Sequence, residues 1–147
     1  MERSGFWRDT AQAMSETKEA LARAQYQRWN AEDFDAWIEG FDPDVQYFSS
    51  VSASLDGEGE FHGHEGLKAF VEAYFEAWEW FRLWPTEFIE AGDDLVASCA
   101  TRGRGRESGV VVDGRVAHVW SFRGGHATRC LSFQKRAQAL QAAGLSG

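Results

Sequence analysis

Residues 115–133 read Arg115-Val116-Ala117-His118-Val119-Trp120-Ser121-Phe122, then Arg123-Gly124-Gly125, then His126-Ala127-Thr128-Arg129-Cys130-Leu131-Ser132-Phe133. Both arms are rich in β-branched and aromatic residues, and a Gly-Gly pair adopts the positive φ angles of a tight turn without strain. The pattern therefore predicts a β-hairpin. Alternation along its first arm puts Val116, His118, Trp120 and Phe122 on one face. If that face closes over a cavity, His118 is the residue best placed for chemistry.

Working upstream from this hairpin, three further segments are predicted to be strands. They are Val45 to Phe48, Leu83 to Glu90 and Leu95 to Arg102. Pro85 cannot donate to a strand ladder, which places the second segment at a sheet edge or at a strand start. Alternation in the third segment puts Val96, Ser98, Ala100 and Arg102 on one face.

Helical patterns occupy the rest of the chain. Helix formers dominate from Asp9 to Trp29. Asp33 is a candidate cap for a second helix, in which Phe34, Trp37, Ile38 and Phe41 recur at helical spacing until Asp42-Pro43 ends it. The third helix has an apolar stripe made of Leu67, Phe70, Val71, Tyr74, Phe75 and Trp78, and a short tail helix covers Ala137 to Leu145.

Helices that come early and hairpins that come late favour an α+β fold, with the helices covering one face of a curved antiparallel sheet. At 147 residues, the chain is expected to be one domain over residues 1–147, and Met1 to Arg8 is expected to be a loose N-terminal arm.

Composition narrows the classes of partner. The chain is 44% hydrophobic and 14% aromatic, and its net charge is −8. An acidic surface repels phosphate backbones and anionic lipids, so we expect neither nucleic-acid nor membrane binding.

Cys99 and Cys130 are interpreted as buried free thiols rather than as a disulfide. With no signal-peptide pattern and no apolar run near ~20 residues, a cytoplasmic protein is expected.

The pair His62-x-His64, with Glu60 and Glu65 beside it, suggests a metal site. Consecutive turn residues rarely supply a whole set of ligands, however, and no other histidine is close in sequence. The turn that begins the third helix is the better interpretation, and we expect no metal and no cofactor.

The order of elements, together with several segments, resembles the SnoaL-like branch of the nuclear-transport-factor-2-like superfamily across roughly residues 15 to 145. The segments that carry the resemblance are Trp29 to Asp35, Phe41 to Val45, His62 to Leu67, Ser108 to Val110, Ala117 to Gly125 and Ala139 to Leu145. It implies a cone-shaped fold in which the sheet wraps around about three helices and leaves an apolar pocket. It also implies a homodimer packed through the outer face of the sheet.

Position within that family implies a set of pocket-lining residues. They are Tyr26, Trp29, Tyr47, Ser49, Ser98, Ala100, Arg102, His118, Trp120, Cys130 and Ser132. Trp29 and Trp120 are expected to shape the pocket, and the polar members are expected to meet the ligand.

The family contains isomerases, epoxide hydrolases, dehydratases and polyketide cyclases, but their catalytic residues are not all present. Ser49 stands where ketosteroid-isomerase-like members place a base, Gln25 falls at their tyrosine position, and His118 falls at their acid position. Arg102-Gly103-Arg104 lacks the acid of the epoxide-hydrolase Arg-x-Asp pair.

His118 has an unperturbed pKa of ~6.5, which suits proton transfer near neutrality; the alternative is a core histidine whose ring is satisfied by a backbone carbonyl or a tyrosine hydroxyl. Arg102 is a candidate to hold an oxygen anion; the alternative is an ion pair at the rim of the sheet. The resemblance thus implies a pocket protein for a small apolar, oxygenated molecule. If the protein is an enzyme, the implied activity is that of a cofactor-independent isomerase, cyclase, dehydratase or hydrolase. The alternatives are a non-catalytic ligand binder and a dimeric interaction module.

Overall fold

A computed structural model describes residues 18–50 and 59–145. The elements in chain order are helix α1 (18–30), α2 (Phe34–Glu39), β1 (Phe41–Ser49), β2 (Glu60–His62), α3 (Gly63–Ala77), β3 (Trp78–Ala91), β4 (Asp94–Gly105), β5 (Val111–Arg123), β6 (His126–Phe133) and α4 (Arg136–Ala142). The α+β class is confirmed. The predicted N-terminal arm and the first half of the predicted first helix lie outside the described residues.

One six-stranded sheet carries the fold, in the order β2-β1-β6-β5-β4-β3. All its neighbours are antiparallel except β1 and β6. The predicted closing hairpin is β5 and β6, and its turn uses Gly124 and Gly125 at φ +58° and +85°. β3 is an edge strand, as Pro85 predicts.

The junction between α2 and β1 differs from the prediction. Asp33 caps α2 as expected, since its Oδ1 accepts from the Ala36 backbone N–H at 3.3 Å. The helix ends at Glu39, with Gly40 as its C-cap, so Phe41 begins the strand instead of completing the helix. Pro43 is tolerated within β1 because the ladder to β6 is interrupted between Phe41 and Gln46.

The inner face of the sheet is buried, and the outer face is buried in part. The inner face packs on the first three helices around an aromatic core that includes Trp29, Trp37, Phe41 and Phe70. The outer face of β4 and β5 is partly covered by α4, through Ala139 and Leu140.

This two-sided burial explains an error in the face assigned to β4. Leu95, Ala97 and Cys99 belong to the inner core, whereas Val96 packs outward with α4. Ser98, Ala100 and Arg102 alternate with the inner set and therefore lie on the outer face. Hydrophobicity could not distinguish the two faces, because each is apolar at this point.

Candidate functional site

A cavity of about 370 Å³ lies between the helices and the concave face of the sheet. Its volume falls within the range of small-molecule sites. The lining residues are Tyr26, Trp29, Trp37, Tyr47, Ser49, Phe70, Tyr74, Trp78, Phe81, Leu83, Thr101, Val112, Gly114, Arg115, Val116, His118, Trp120, Ser132 and Gln134. Aromatic and aliphatic side chains predominate, so the walls favour an apolar ligand.

Helix α1 is fixed against the edge of the sheet by reciprocal hydrogen bonds. The Asn30 side-chain amide donates to the Leu83 carbonyl oxygen at 2.7 Å, and its Oδ1 accepts from the Leu83 N–H at 2.9 Å. Trp29 Nε1 donates to the Phe81 carbonyl oxygen at 3.0 Å. These contacts hold one helix face, and hence Tyr26 one turn earlier, over the cavity.

Tyr26, His118 and Trp120 form a hydrogen-bonded chain at the wall of the cavity. The Tyr26 hydroxyl oxygen is 2.6 Å from His118 Nδ1 and accepts from Trp120 Nε1 at 2.9 Å. The three side chains are buried, with 4%, 4% and 2% exposure respectively. His118 Nε2 makes no hydrogen bond within the described residues, and the ring lines the cavity, so this nitrogen is the one available to a ligand.

Burial keeps this chain uncharged. Loss of solvation lowers the pKa of His118 to about 4, because the imidazolium has no counter-charge there. The same cause raises the pKa of Tyr26 well above its ordinary value. Burial also raises the pKa of Cys99 to about 11 and that of Cys130 strongly. At neutral pH, His118, Tyr26 and the two cysteines are therefore uncharged.

Four more polar groups border the cavity. The hydroxyls of Tyr47, Tyr74, Thr101 and Ser132 make no hydrogen bond within residues 18–50 and 59–145. Burial raises the pKa of both tyrosines, which therefore remain phenols. These groups are available to a ligand oxygen.

Three polar residues lie in a row on the inner face of the sheet. Ser132 on β6 is in register with Ser49 on β1 and with His118 on β5. Neighbouring strands are ~4.8 Å apart, so the row spans three adjacent strands. A ligand oxygen near His118 therefore also has Ser132 within reach.

Seven of the predicted pocket residues line the cavity together. They are Tyr26, Trp29, Tyr47, Ser49, His118, Trp120 and Ser132. Cys130 belongs to the inner core, at 1% exposure, but is not part of the lining. Ser98 and Ala100 are on the outer face of β4.

Arg102 is not where its predicted role requires it. Its guanidinium is bound to Asp113 on the outer face, with Nε 2.8 Å from Oδ1, and the side chain is 54% exposed. This ion pair raises the pKa of Arg102 further above its ordinary value. The prediction that Arg102 lines the inner wall was therefore wrong, and Thr101 occupies that position.

Several lining residues were missed from the sequence. Phe70 and Tyr74 were assigned to the core because their helical stripe is typical of packing, and Trp37 was read in the same way. Thr101 follows from the pleat of β4 once Cys99 is known to face inward. No sequence signal distinguishes an aromatic residue that fills a core from one that borders a cavity.

In the described chain, His62 and His64 have structural positions at the start of α3. His62 precedes α3 as its N-cap, and His64 Nε2 is 2.8 Å from the Phe41 carbonyl oxygen. No group of three or more potential ligands comes together within the described residues. Nor is any helix of the described chain long and apolar enough to cross a membrane.

Comparison with known families identifies the fold. The profile of the SnoaL-like domain matches residues 22–130. The chain therefore belongs to the SnoaL-like family, within the nuclear-transport-factor-2-like superfamily, as the sequence pattern indicated. No curated protein matches the chain.

Solved structures agree with this assignment. A nuclear-transport-factor-2-like protein of unknown function from Burkholderia pseudomallei is 25% identical with a TM-score of 0.73, covering 85% of this chain and 95% of its own. TerC, co-crystallised with polyporic acid, is 25% identical with a TM-score of 0.73, covering 87% and 98%. A Mycobacterium tuberculosis protein in complex with estradiol-17beta-hemisuccinate is 15% identical with a TM-score of 0.67, covering 82% and 95%.

Proposed function

We propose that the cavity binds a small, largely apolar molecule that carries oxygen, and that His118 contacts this oxygen through Nε2. The observation that carries the proposal is the buried Tyr26–His118–Trp120 chain, which leaves one imidazole nitrogen open to an aromatic-walled cavity. A few fixed polar groups in an apolar cavity are typical of ligand sites that select orientation as well as shape.

The charge of the site favours an uncharged ligand. No carboxylate lines the cavity among the described residues, and Arg115, its one lining arginine, directs its guanidinium to Thr86 Oγ1 at 2.9 Å. A buried ionic group on the ligand would be costly without a counter-charge. Ketones, esters and neutral phenols fit better than carboxylates or amines.

Two of the solved neighbours support an oxygen-bearing organic molecule as the ligand, whereas the preference for an uncharged one rests on the lining of this cavity alone. TerC and the Mycobacterium tuberculosis protein were each crystallised with an oxygen-bearing organic molecule. The volume of about 370 Å³ suits a molecule of that kind.

For a reaction, we propose proton transfer at a carbonyl or hydroxyl oxygen, as in cofactor-independent isomerisation, cyclisation, dehydration or hydrolysis. His118 is the histidine of the lining in the described chain, and because burial lowers its pKa to about 4 it would take part as a neutral imidazole at pH 7. Tyr47 would hold the oxygen. The non-catalytic binder remains the second candidate. It is favoured by the lack of a lining carboxylate to act as a separate base in the described chain.

The test is a thermal-shift screen of neutral ketones, phenols and polycyclic compounds on wild type, His118→Gln and His118→Leu. A ligand that binds only the folded state raises Tm by mass action. We expect stabilisation of wild type and His118→Gln that is reduced in His118→Leu. Hits then go to turnover assays, in which product formation distinguishes the enzyme from the binder. Equal stabilisation of all three proteins would contradict a role for His118.

A further inference from the structure

The hydrogen bonds around Tyr26 determine which nitrogen of His118 carries its proton. Trp120 Nε1 is a donor only, so at 2.9 Å it occupies an acceptor site on the phenol oxygen. The same oxygen lies 2.6 Å from His118 Nδ1, and one atom of that pair must donate. The Tyr26 hydroxyl has one proton and can therefore donate only one hydrogen bond.

Two arrangements compete. In one, Tyr26 donates to an unprotonated Nδ1, and the imidazole proton resides on Nε2. In the other, Nδ1–H donates to the phenol oxygen, which then accepts two N–H groups and must give its own proton to the nearby Cys99 sulfur. A thiol is a weak acceptor, and burial keeps Cys99 in the thiol form. The first arrangement makes the stronger hydrogen bonds.

We propose that Trp120, acting through Tyr26, is a positioning residue that fixes His118 as the Nε2–H tautomer, so that the cavity presents a neutral N–H donor. The inference rests on the proposed ligand site and deepens it. The group that His118 recognises is an acceptor oxygen, such as that of a ketone, ester or quinone. In any reaction, His118 then begins as a hydrogen-bond donor to this oxygen, not as a base.

The tautomer is measured directly by ¹⁵N NMR of the histidine rings at pH 7, with His118→Gln used to assign its signals. We expect Nε2 in the protonated range and Nδ1 in the unprotonated range. Trp120→Phe should shift the Nδ1 signal towards the protonated range, because the phenol oxygen regains an acceptor site. Trp37→Phe is the matched control: it truncates another lining tryptophan, one that does not bond Tyr26, and should leave the pattern unchanged.

A wild-type spectrum with the proton on Nδ1 would overturn the inference. A Trp120→Phe spectrum identical to wild type would overturn the role of Trp120. The wild-type measurement stands even if the Trp120 variant fails to fold.

Binding of an acceptor oxygen by His118 is tested with three tricyclic probes of similar shape. Fluorenone has an acceptor oxygen, carbazole has an N–H donor, and fluorene has neither of these groups. We expect fluorenone to bind roughly three- to tenfold more tightly than fluorene, with no gain for carbazole. The fluorenone preference should persist in His118→Gln and disappear in His118→Leu.

The binding probes test the proposed ligand site, and the NMR spectra test the tautomer of His118, so the two can fail separately. Failure of all three probes to bind would contradict the proposed ligand site, and the tautomer would still be read from the free protein. Binding in which carbazole exceeds fluorenone would preserve the ligand site and overturn the donor assignment.

Discussion

His118 shows how a single residue takes its properties from its surroundings. Its ring is 4% exposed and lies beside Tyr26 and Trp120, and no carboxylate among the described residues contacts it. Since nothing compensates for a positive charge, the imidazole stays neutral far below its ordinary pKa. Only a neutral imidazole has one protonated and one unprotonated nitrogen, so His118 can be held in a single tautomer at neutral pH.

The stability of the protein should therefore depend on the protonation of His118. Its pKa is about 4 in the folded protein and ~6.5 when unfolded, so the unfolded state takes up the proton first as pH falls. The stabilisation is complete above pH ~6.5 and is lost towards pH ~4, amounting to about 3 kcal/mol. Urea unfolding of wild type and His118→Gln at pH 7 and pH 4.5 measures it. A variant with the same pH dependence as wild type would contradict this account.

Thr101 and Arg102 are adjacent in sequence and face opposite sides of β4. Thr101→Leu puts extra atoms into the cavity and should weaken ligand binding by roughly tenfold or more, equivalent to 1.4 kcal/mol. Arg102→Leu is the matched control, since its side chain pairs with Asp113 outside the cavity, and should leave affinity unchanged. Fluorescence titration measures the ligand affinity of the wild type and of both variants. A loss confined to Arg102→Leu would restore Arg102 to the ligand site.

At the scale of elements, prediction worked where one face of a segment is apolar and failed where both are. The β5–β6 hairpin followed from β-branched alternation and two glycines, and it placed His118 and Trp120 correctly on the inner face. β4 has buried residues on both faces, so its alternation does not show which face is turned towards the helices. Arg102 was therefore assigned to the wrong face. The cavity itself depends on how helices meet the sheet, which local patterns do not encode.

The end of α2 depends on close packing at Gly40. A Cβ at this position would collide with the Gln25 carboxamide, which is buried and donates to the Trp37 carbonyl oxygen at 2.8 Å. Gly40 has φ −72°, so alanine meets no backbone strain there and the cost comes from the collision. Gly40→Ala should cost about 1–3 kcal/mol.

Denaturant unfolding in a double-mutant cycle isolates this contact. Gly40→Ala should cost distinctly less when Gln25→Ala has already removed the obstructing side chain. Additive effects of the two substitutions would show that Gly40 is constrained by something other than Gln25.

At the scale of the whole molecule, the outer face of the sheet retains an exposed aromatic residue. Trp84 on β3 is 46% exposed and lies on the same face as Arg102. The family resemblance implies a homodimer through this face, and we expect Trp84→Ser to shift the protein towards monomer in analytical ultracentrifugation. Val110→Ser, at a residue that is 56% exposed between β4 and β5, is the control that should leave the dimer intact. A monomeric wild type would contradict the expectation.

The central claim is that an apolar, oxygen-bearing molecule occupies the cavity beside His118. The most direct test follows the ¹⁵N ring resonances of all four histidines while fluorenone is titrated. The account predicts a saturable shift of His118, whereas His62, His64 and His126 stay in place. Saturable binding without any change at His118 would contradict it.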